Sequence, residues 1–245
     1  PSDGSADNIN ALMRNEADMA FCQADVLIYM SKVQRIDLSS IKVVSSLYDE
    51  AVHIIVPKGS PYKTWSDLFN GSTAIASNGG SIYTLKIIVA KTKSKTAVVE
   101  AKSFDDAMAS MRNNKTQAVL SVGADPVKGI EDELKAGNVR LLPIDDSTYN
   151  AIDSVYSSRI TIASYLGTQA VKSVAVPTYI IAWNSKLSEK IKSMKQVAET
   201  IKKLAPVLSE TRGTHPIWRK IDTNKEVFWD KLDEKKNKKD EGLDG

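Results

Sequence analysis

VVSSLYDEAVHIIV, residues Val43–Val56, reads as one long strand with a polar middle. Apolar runs stand at both ends, and Tyr48, Asp49, Glu50 and His53 lie between them. A wholly buried strand does not hold such groups without partners, because taking each out of water is costly. A strand that crosses from one lobe to another, past a wet cleft, can hold them. Val174–Trp183, VAVPTYIIAW, is a second strand of the same kind, over a hundred residues on. One strand out and one back describe a two-lobed clamp with a hinge.

Upstream of the first crossing strand, Ser5 or Asp7 can cap a helix that buries Ile9, Leu12 and Met13. Met19–Gln23 reads as a short strand with Cys22 buried, and Asp25 starts a helix carrying Val26, Leu27 and Met30. Downstream, Pro57, Gly59 and Pro61 break the strand. Strands at Thr73–Ala76, Ala97–Val99, Ala118–Val122 and Val139–Leu142 then alternate with helices. The first helix opens on a capping box at Thr64 and Asp67, with Gly71 as its stop. The others are marked by Ile82, Leu85 and Val89, by a Ser103 cap ahead of Phe104, Ala107, Met108 and Met111, and by Val127, Ile130 and Leu134 before Gly137. This alternation predicts a mainly parallel sheet. Tyr149–Gln169 reads as a helix followed by an exposed segment with Tyr165 and Gly167. A helix over Ser188–Leu204, with Ile191, Met194, Ala198 and Ile201 on one face, is expected to end at Pro206. Lys225–Leu232 reads as a last short helix and Lys235–Gly245 as a frayed tail.

Composition narrows the function. The net charge is only +3 over 245 residues, with lysines spread along the chain, which argues against nucleic acid. There is no run of eighteen apolar residues to span a membrane. No signal peptide is visible, although one removed ahead of Pro1 is compatible with the sequence. The single cysteine cannot form an internal disulfide and fits either cytoplasm or periplasm.

In an open α/β lobe, ligands sit beyond the carboxyl ends of the strands. Those ends carry Gln23, the Ser77–Ser81 loop and Gly123. Gly79 and Gly80 let the backbone approach a ligand, and the helix after them offers N–H groups to an anion. The same Asn78-Gly79-Gly80 can also be a plain turn. Ser81 adds a hydroxyl. Glu50 can face a ligand amino group or serve as a hinge salt-bridge partner, and Tyr48 and Tyr165 can stack on a ligand or simply pack. His53 reads as a strand residue with one hydrogen bond, and His215 as a packing or solvent-facing residue. Lys91–Lys95 reads as a solvated face. No metal-ligand spacing and no nucleophile–base–orienter set stands out, so neither a metal, a cofactor nor catalysis is expected.

Several motifs together resemble a known family. Ser5-Ala-Asp-Asn8-Ile-Asn and then Asn15–Asp25 (NEADMAFCQAD) resemble G-S-x-x-N…G-E-A-D-h-A-h-x-Q-x-D, where h is apolar. Ser46–His53 (SLYDEAVH) is similar to S-L-Y-P-E-x-V-H, and Ile160–Gly167 (ITIASYLG) to I-P-A-G-T-Y-P-G. These are motifs of the TAXI subtype of TRAP-transporter solute-binding proteins. The resemblance runs from about Ser5 to about Trp183. It implies a type II periplasmic-binding-protein fold: α/β, two lobes, two hinge-crossing strands and C-terminal helices. It also implies a small carboxylate or amino acid such as glutamate in the cleft, delivered to the TRAP membrane permease subunits from a periplasmic or otherwise extracytoplasmic location. Departures fall at Asp49, Thr161 and Leu166, where the family has prolines, and at Gly79-Gly80-Ser81-Ile82, where it has G-S-G-T. The family opens with a strand, a glycine-rich loop and a helix ahead of the motif at Ser5. The resemblance therefore implies that this sequence is the later part of a longer protein, or that its first segment is a separate piece.

The expected layout is a first part of lobe 1 at 1–55, lobe 2 at 56–174, a return to lobe 1 with C-terminal helices at 175–234, and a tail at 235–245. The expected ligand is small and anionic. Its expected contacts are Ser5, Asn8, Gln23, Tyr48, Glu50, Gly79, Gly80, Ser81, Gly123 and Tyr165. The alternative is a sensory or regulatory domain of the same fold, and a third reading is a clamp-fold transferase.

Overall fold

A computed structural model describes residues 2–77, 79–165, 167–184 and 188–232. The tail expected at 235–245 lies outside the described residues, as do Asn78 and Leu166. The chain begins with α1 (Ser5–Met13), β1 (Met19–Gln23) and α2 (Ala24–Lys32), followed by the long strand β2 (Ile41–Pro57). Next come α3 (Trp65–Leu68), β3 (Thr73–Ser77), α4 (Ser81–Lys91), β4 (Ala97–Ala101), α5 (Phe104–Arg112) and β5 (Ala118–Gly123). They are followed by α6 (Lys128–Lys135), β6 (Val139–Leu141), α7 (Asp146–Ile152) and β7 (Arg159–Ile162). The return strand β8 (Val171–Trp183), the helix α8 (Ser188–Glu210) and a short 3-10 turn at Pro216–Lys220 complete it.

β2 and β8 are 17 and 13 residues long and pair antiparallel from Ile41↔Trp183 to Ala51↔Ala175. They carry the chain between separate cores, as their polar middles suggested. Near the ends that face α1, β1 and α2, the core holds Ile9, Leu12, Leu27, Ile41, Tyr179 and Ile181. Past the polar middle, β2 feeds two cores on opposite faces of the sheet. Val52, Ile54 and Val56 join Trp65, Leu85 and Leu120 on one face, and Ala51 and Ile55 join Met108, Val119 and Ile130 on the other. Alternate side chains of a strand point to opposite faces, so one segment serves both.

The strand order is β1-β8-β2-β5-β3-β4, with β6 paired to β2 and β7 to β8. The sheet is mixed, and this corrects the expectation of a mainly parallel one. Only β3 runs parallel to its neighbours β4 and β5, whereas β1, β2, β5, β6, β7 and β8 meet in antiparallel pairs. The βα alternation set the direction of β3, β4 and β5, but the crossing strand β2 enters between β5 and β8 against both.

Two expected helices differ. Lys225–Leu232 is not helical but irregular, with a single bridge from Lys231 to Val43. The first part of β2 has β8 on one side, while β5 begins its pairing only at Ala51. The open edge of Val43 is taken by residues 222–232: Val43 N donates to Asp230 O at 2.8 Å, and Leu232 N to Val43 O at 2.9 Å. Asp222 N donates to Leu47 O and Trp229 Nε1 to Ile41 O. Backbone groups at a sheet edge need partners, and this strap supplies them. Pro206 does not end α8, which continues to Glu210. Proline removes one N–H, but the stranded carbonyl is that of exposed Lys202, where water can serve it. Tyr165, expected in an exposed segment, is 3% exposed. Cys22 is buried as expected, and Ser103 caps α5 by accepting from Asp106 N.

Candidate functional site

A cavity of about 300 Å³ opens where the cores meet. Its floor is the polar middle of β2. Between Ser46↔Tyr179 and Asp49↔Pro177, Leu47 and Tyr48 stand against the single residue Thr178. Such a bulge bends the strand and re-aims a side chain, and Tyr48, Glu50 and Thr178 all line the cavity. One wall is the end of β1 with the start of α1, bringing Gln23, Ser5, Asn8 and Asp3. The other is the turn into α4, bringing Ser77, Gly80 and Ser81, with Val122 of β5 behind it.

The polar groups of the cavity hold one another in place. Gln23 Nε2 donates to Glu50 Oε2 at 2.7 Å, and Gln23 N donates to Ser5 Oγ at 3.0 Å. Asn8 Nδ2 donates to Phe21 O at 2.8 Å, and Ser81 Oγ accepts from Val122 N at 3.0 Å. Gln23 is 5% exposed, and its Oε1 has no hydrogen-bond partner among the described residues. Thr178 Oγ1 is likewise buried without one. Buried polar atoms of this kind ordinarily find a partner, so their lack of one points to a ligand or ordered water. α4 begins at Ser81 with no side chain capping its first turn, which leaves backbone N–H groups beside the cavity.

Among the described residues the lining includes the carboxylates Asp3 and Glu50 and no Lys, Arg or His. Burial raises the Glu50 pKa, the hydrogen bond from Gln23 opposes the rise, and the nearby Asp25 adds to it. Burial, with the Glu50 charge behind it, pushes the Tyr48 phenol up to about 12. The side chains therefore suit a ligand nitrogen that donates, while the open turn of α4 suits a carboxylate.

The cavity brings together Ser5, Asn8, Gln23, Tyr48, Glu50, Gly80 and Ser81 from among the expected contacts. Gly79, Gly123 and Tyr165 do not line it. Gly79 stands behind Gly80 at φ +92°, where a Cβ would come within 2.0 Å of the Asp3 carbonyl oxygen. Its lack of a side chain lets one wall of the cleft touch the other. Gly123 faces Val127. Tyr165 is buried on the far face of the sheet, where its OH accepts from Val127 N and meets His53 Nε2, both at 3.0 Å. Thr178 is not among the expected contacts, yet a threonine directly after Pro177 in an otherwise apolar strand is a readable signal, and it lines the cavity. In the sequence Asp25 stands out only as a helix start. It is 2% exposed, and its Oδ2 accepts from Thr84 Oγ1 at 2.6 Å and Tyr156 OH at 2.8 Å. It thereby ties α2 to α4 and to the segment after α7.

His53 is fully buried, with Nδ1 unpartnered among the described residues. Burial lowers its pKa from 6.5 to about 4, against the opposing pull of Asp125. The unfolded chain thus takes up the proton first. The stability contributed by neutral His53 is present above the ordinary pKa and is lost as pH falls from 6.5 to about 4. The full loss is about 3 kcal/mol. A His53→Gln variant, which cannot titrate there, should show a correspondingly shallower fall in urea-derived stability over that range. Parallel pH profiles for the two proteins would refute the assignment.

A model of the NMT1-like family matches residues 1–218. No curated protein matches the sequence. Among solved structures, that of Tv2483 bound to L-arginine aligns with a TM-score of 0.54 and 9% identity, over 91% of this chain and 75% of that one. The arginine-, lysine-, histidine-binding protein ArtJ from Geobacillus stearothermophilus aligns with a TM-score of 0.50 and 14% identity, over 87% and 78%. The likeness extends to the mixed sheet with helices of the two-lobed periplasmic-binding-protein fold.

Proposed function

The chain belongs to the NMT1-like family, and on that premise we propose that it is an extracytoplasmic solute-binding protein that holds one small amino acid in the cleft and leaves it unchanged. The observation that carries this reading is the cavity between the cores. Among the described residues it has an uncapped helix start on one side, Glu50 and the unpartnered Gln23 Oε1 on the other, and no cationic side chain in its lining. A plain dicarboxylate would meet two carboxylates there. A zwitterion gives each wall its complement: its carboxylate goes to the N–H groups of α4, and its ammonium to Glu50 and Gln23. Arginine, named in the descriptions of both solved relatives, carries the same pair of groups.

The expected lobes, 1–55 with 175–234 and then 56–174, are supported by the division of β2 and β8 among the cores. Closing the lobes on the ligand would shift an open–closed equilibrium. The resemblance of Ser46–His53 and Ser5–Asp25 to TAXI motifs supports a TRAP-type permease as the recipient.

Calorimetry against a panel of amino acids, matching amides and dicarboxylates tests the reading. Free amino acids should bind, and loss of either the amino group or the carboxylate should weaken binding. Glu50→Gln should cost an amino acid about 1.5–3 kcal/mol, roughly ten- to a hundredfold in affinity. Tighter binding of dicarboxylates than of amino acids would refute the proposed ligand class.

A further inference from the structure

A second cavity, of about 660 Å³, lies where β2 has ended and β8 begins. Lys58 stands eight residues beyond Glu50 on or just past β2, so the two cavities are roughly 25 Å apart. The volume falls in the range of small-molecule sites. Among the described residues its lining includes Lys58, Lys63, Arg140 and Lys172 and no Asp or Glu. The whole chain has 33 basic and 30 acidic residues, so a one-sided lining is a local excess. The ion pairs among the described residues use none of these four cations.

Arg140 is fixed in place. Its Nε donates to Lys58 O at 3.4 Å, and its Nη2 to Ser60 O at 3.0 Å and to Tyr62 O. The partners are backbone carbonyls, which position the guanidinium without neutralising it. Nη1 retains two N–H groups for another acceptor. Leu134, Leu141 and Val171 supply an apolar part of the lining. Like charges gathered around a concavity concentrate positive potential there, and a guanidinium with spare donors favours phosphate oxygens.

We propose that this cavity is a second binding site, for a ligand that carries phosphate on an apolar body. The phosphate would lie against Arg140 and the lysines, and the apolar body against Leu134, Leu141 and Val171. The same chemistry belongs to a free phosphorylated metabolite and to an anionic phospholipid headgroup with the start of its chains. The site is independent of the ligand in the first cavity.

Two probes separate the sources: ADP followed by calorimetry, and sedimentation with phosphatidylcholine vesicles made with and without phosphatidylglycerol. Binding of ADP assigns the site to soluble phosphates, and binding only to phosphatidylglycerol vesicles assigns it to lipid. In either case Lys58→Glu/Lys172→Glu should weaken binding at least about tenfold. Lys115→Glu/Lys203→Glu, exposed lysines elsewhere with the same change in net charge, should leave it unchanged. Melting curves check that both variants are folded. If neither probe binds the wild type, or if the two double variants behave alike, the proposal fails. Should Lys58→Glu/Lys172→Glu not fold, protection of Lys58, Lys63 and Lys172 from acetylation by the probe decides it, and no protection refutes it.

Discussion

Replacing Gly79 with alanine is expected to force the cleft apart. At φ +92° the backbone is in the region that favours glycine, and the added Cβ would stand 2.0 Å from the Asp3 carbonyl oxygen and 3.3 Å from Gly4 Cα. Those are backbone atoms, so no rotamer change relieves the clash. The left-handed conformation costs about 1–2 kcal/mol, and the overpacking about 1–3 kcal/mol more. The strain is relieved if the turn before α4 withdraws from the start of α1. The variant should therefore keep its folded cores but show a larger radius of gyration by small-angle scattering. Its affinity for the cleft ligand should fall roughly thirtyfold or more, equivalent to a cost of about 2–5 kcal/mol. Gly80→Val tests the neighbouring contact, where a Cβ would sit 1.6 Å from Gln23 Oε1. An unchanged profile with unchanged affinity for Gly79→Ala would mean that the two segments do not meet in solution.

The second large effect is expected at Asp25. The double variant Thr84→Val/Tyr156→Phe removes both hydroxyls that donate to Oδ2, while Oδ1 is already buried without a partner among the described residues. A buried carboxylate stripped of its partners typically costs about 3–5 kcal/mol, measurable as a lowered urea midpoint near neutral pH. The pH dependence identifies the cause. Burial already raises the Asp25 pKa, and the two hydroxyls restrain it, so their loss should raise it further. For a carboxyl raised in the folded state, the associated stability is fully present below the unfolded pKa and is lost as pH rises through the folded one. The variant should therefore recover part of its deficit as pH is lowered toward the ordinary aspartate value of 3.8. A deficit independent of pH would assign the effect to packing alone.

The fold was legible mainly through β2. Tyr48, Asp49 and Glu50 inside an apolar run could not be reconciled with a single core, and the structure divides the cores on either side of them. Strand direction was less legible, because βα alternation describes only neighbours in sequence, and β2 takes β5 and β8 from far along the chain. The strap at 222–232 was invisible for a related reason. Val227 and Phe228 have a local pattern open to a helix, but the vacant edge of β2 claims that backbone. In the candidate site, Gln23, Tyr48 and Glu50 could be placed because they stand at strand ends or interrupt strands. The glycines were harder: sequence marks where a backbone may come close to something, not what it approaches. Gly79 approaches the other wall of the cleft. Tyr165 turns away to His53, a pairing over 112 positions that no local pattern encodes.

The strap along β2 bears on the order in which the molecule assembles as it leaves the ribosome. The cores served by the middle of the chain draw on residues between Ala51 and Val176 and can close once that stretch has emerged. The core around Ile9 and Ile41 also needs Tyr179 and Ile181, and the edge beside Val43 waits for Asp230 and Leu232. The residues around Ile9 and Ile41 are thus made well before the partners that enclose them. Until then, the start of β2 presents bare edges on both sides, a natural place for a chaperone to hold the nascent chain.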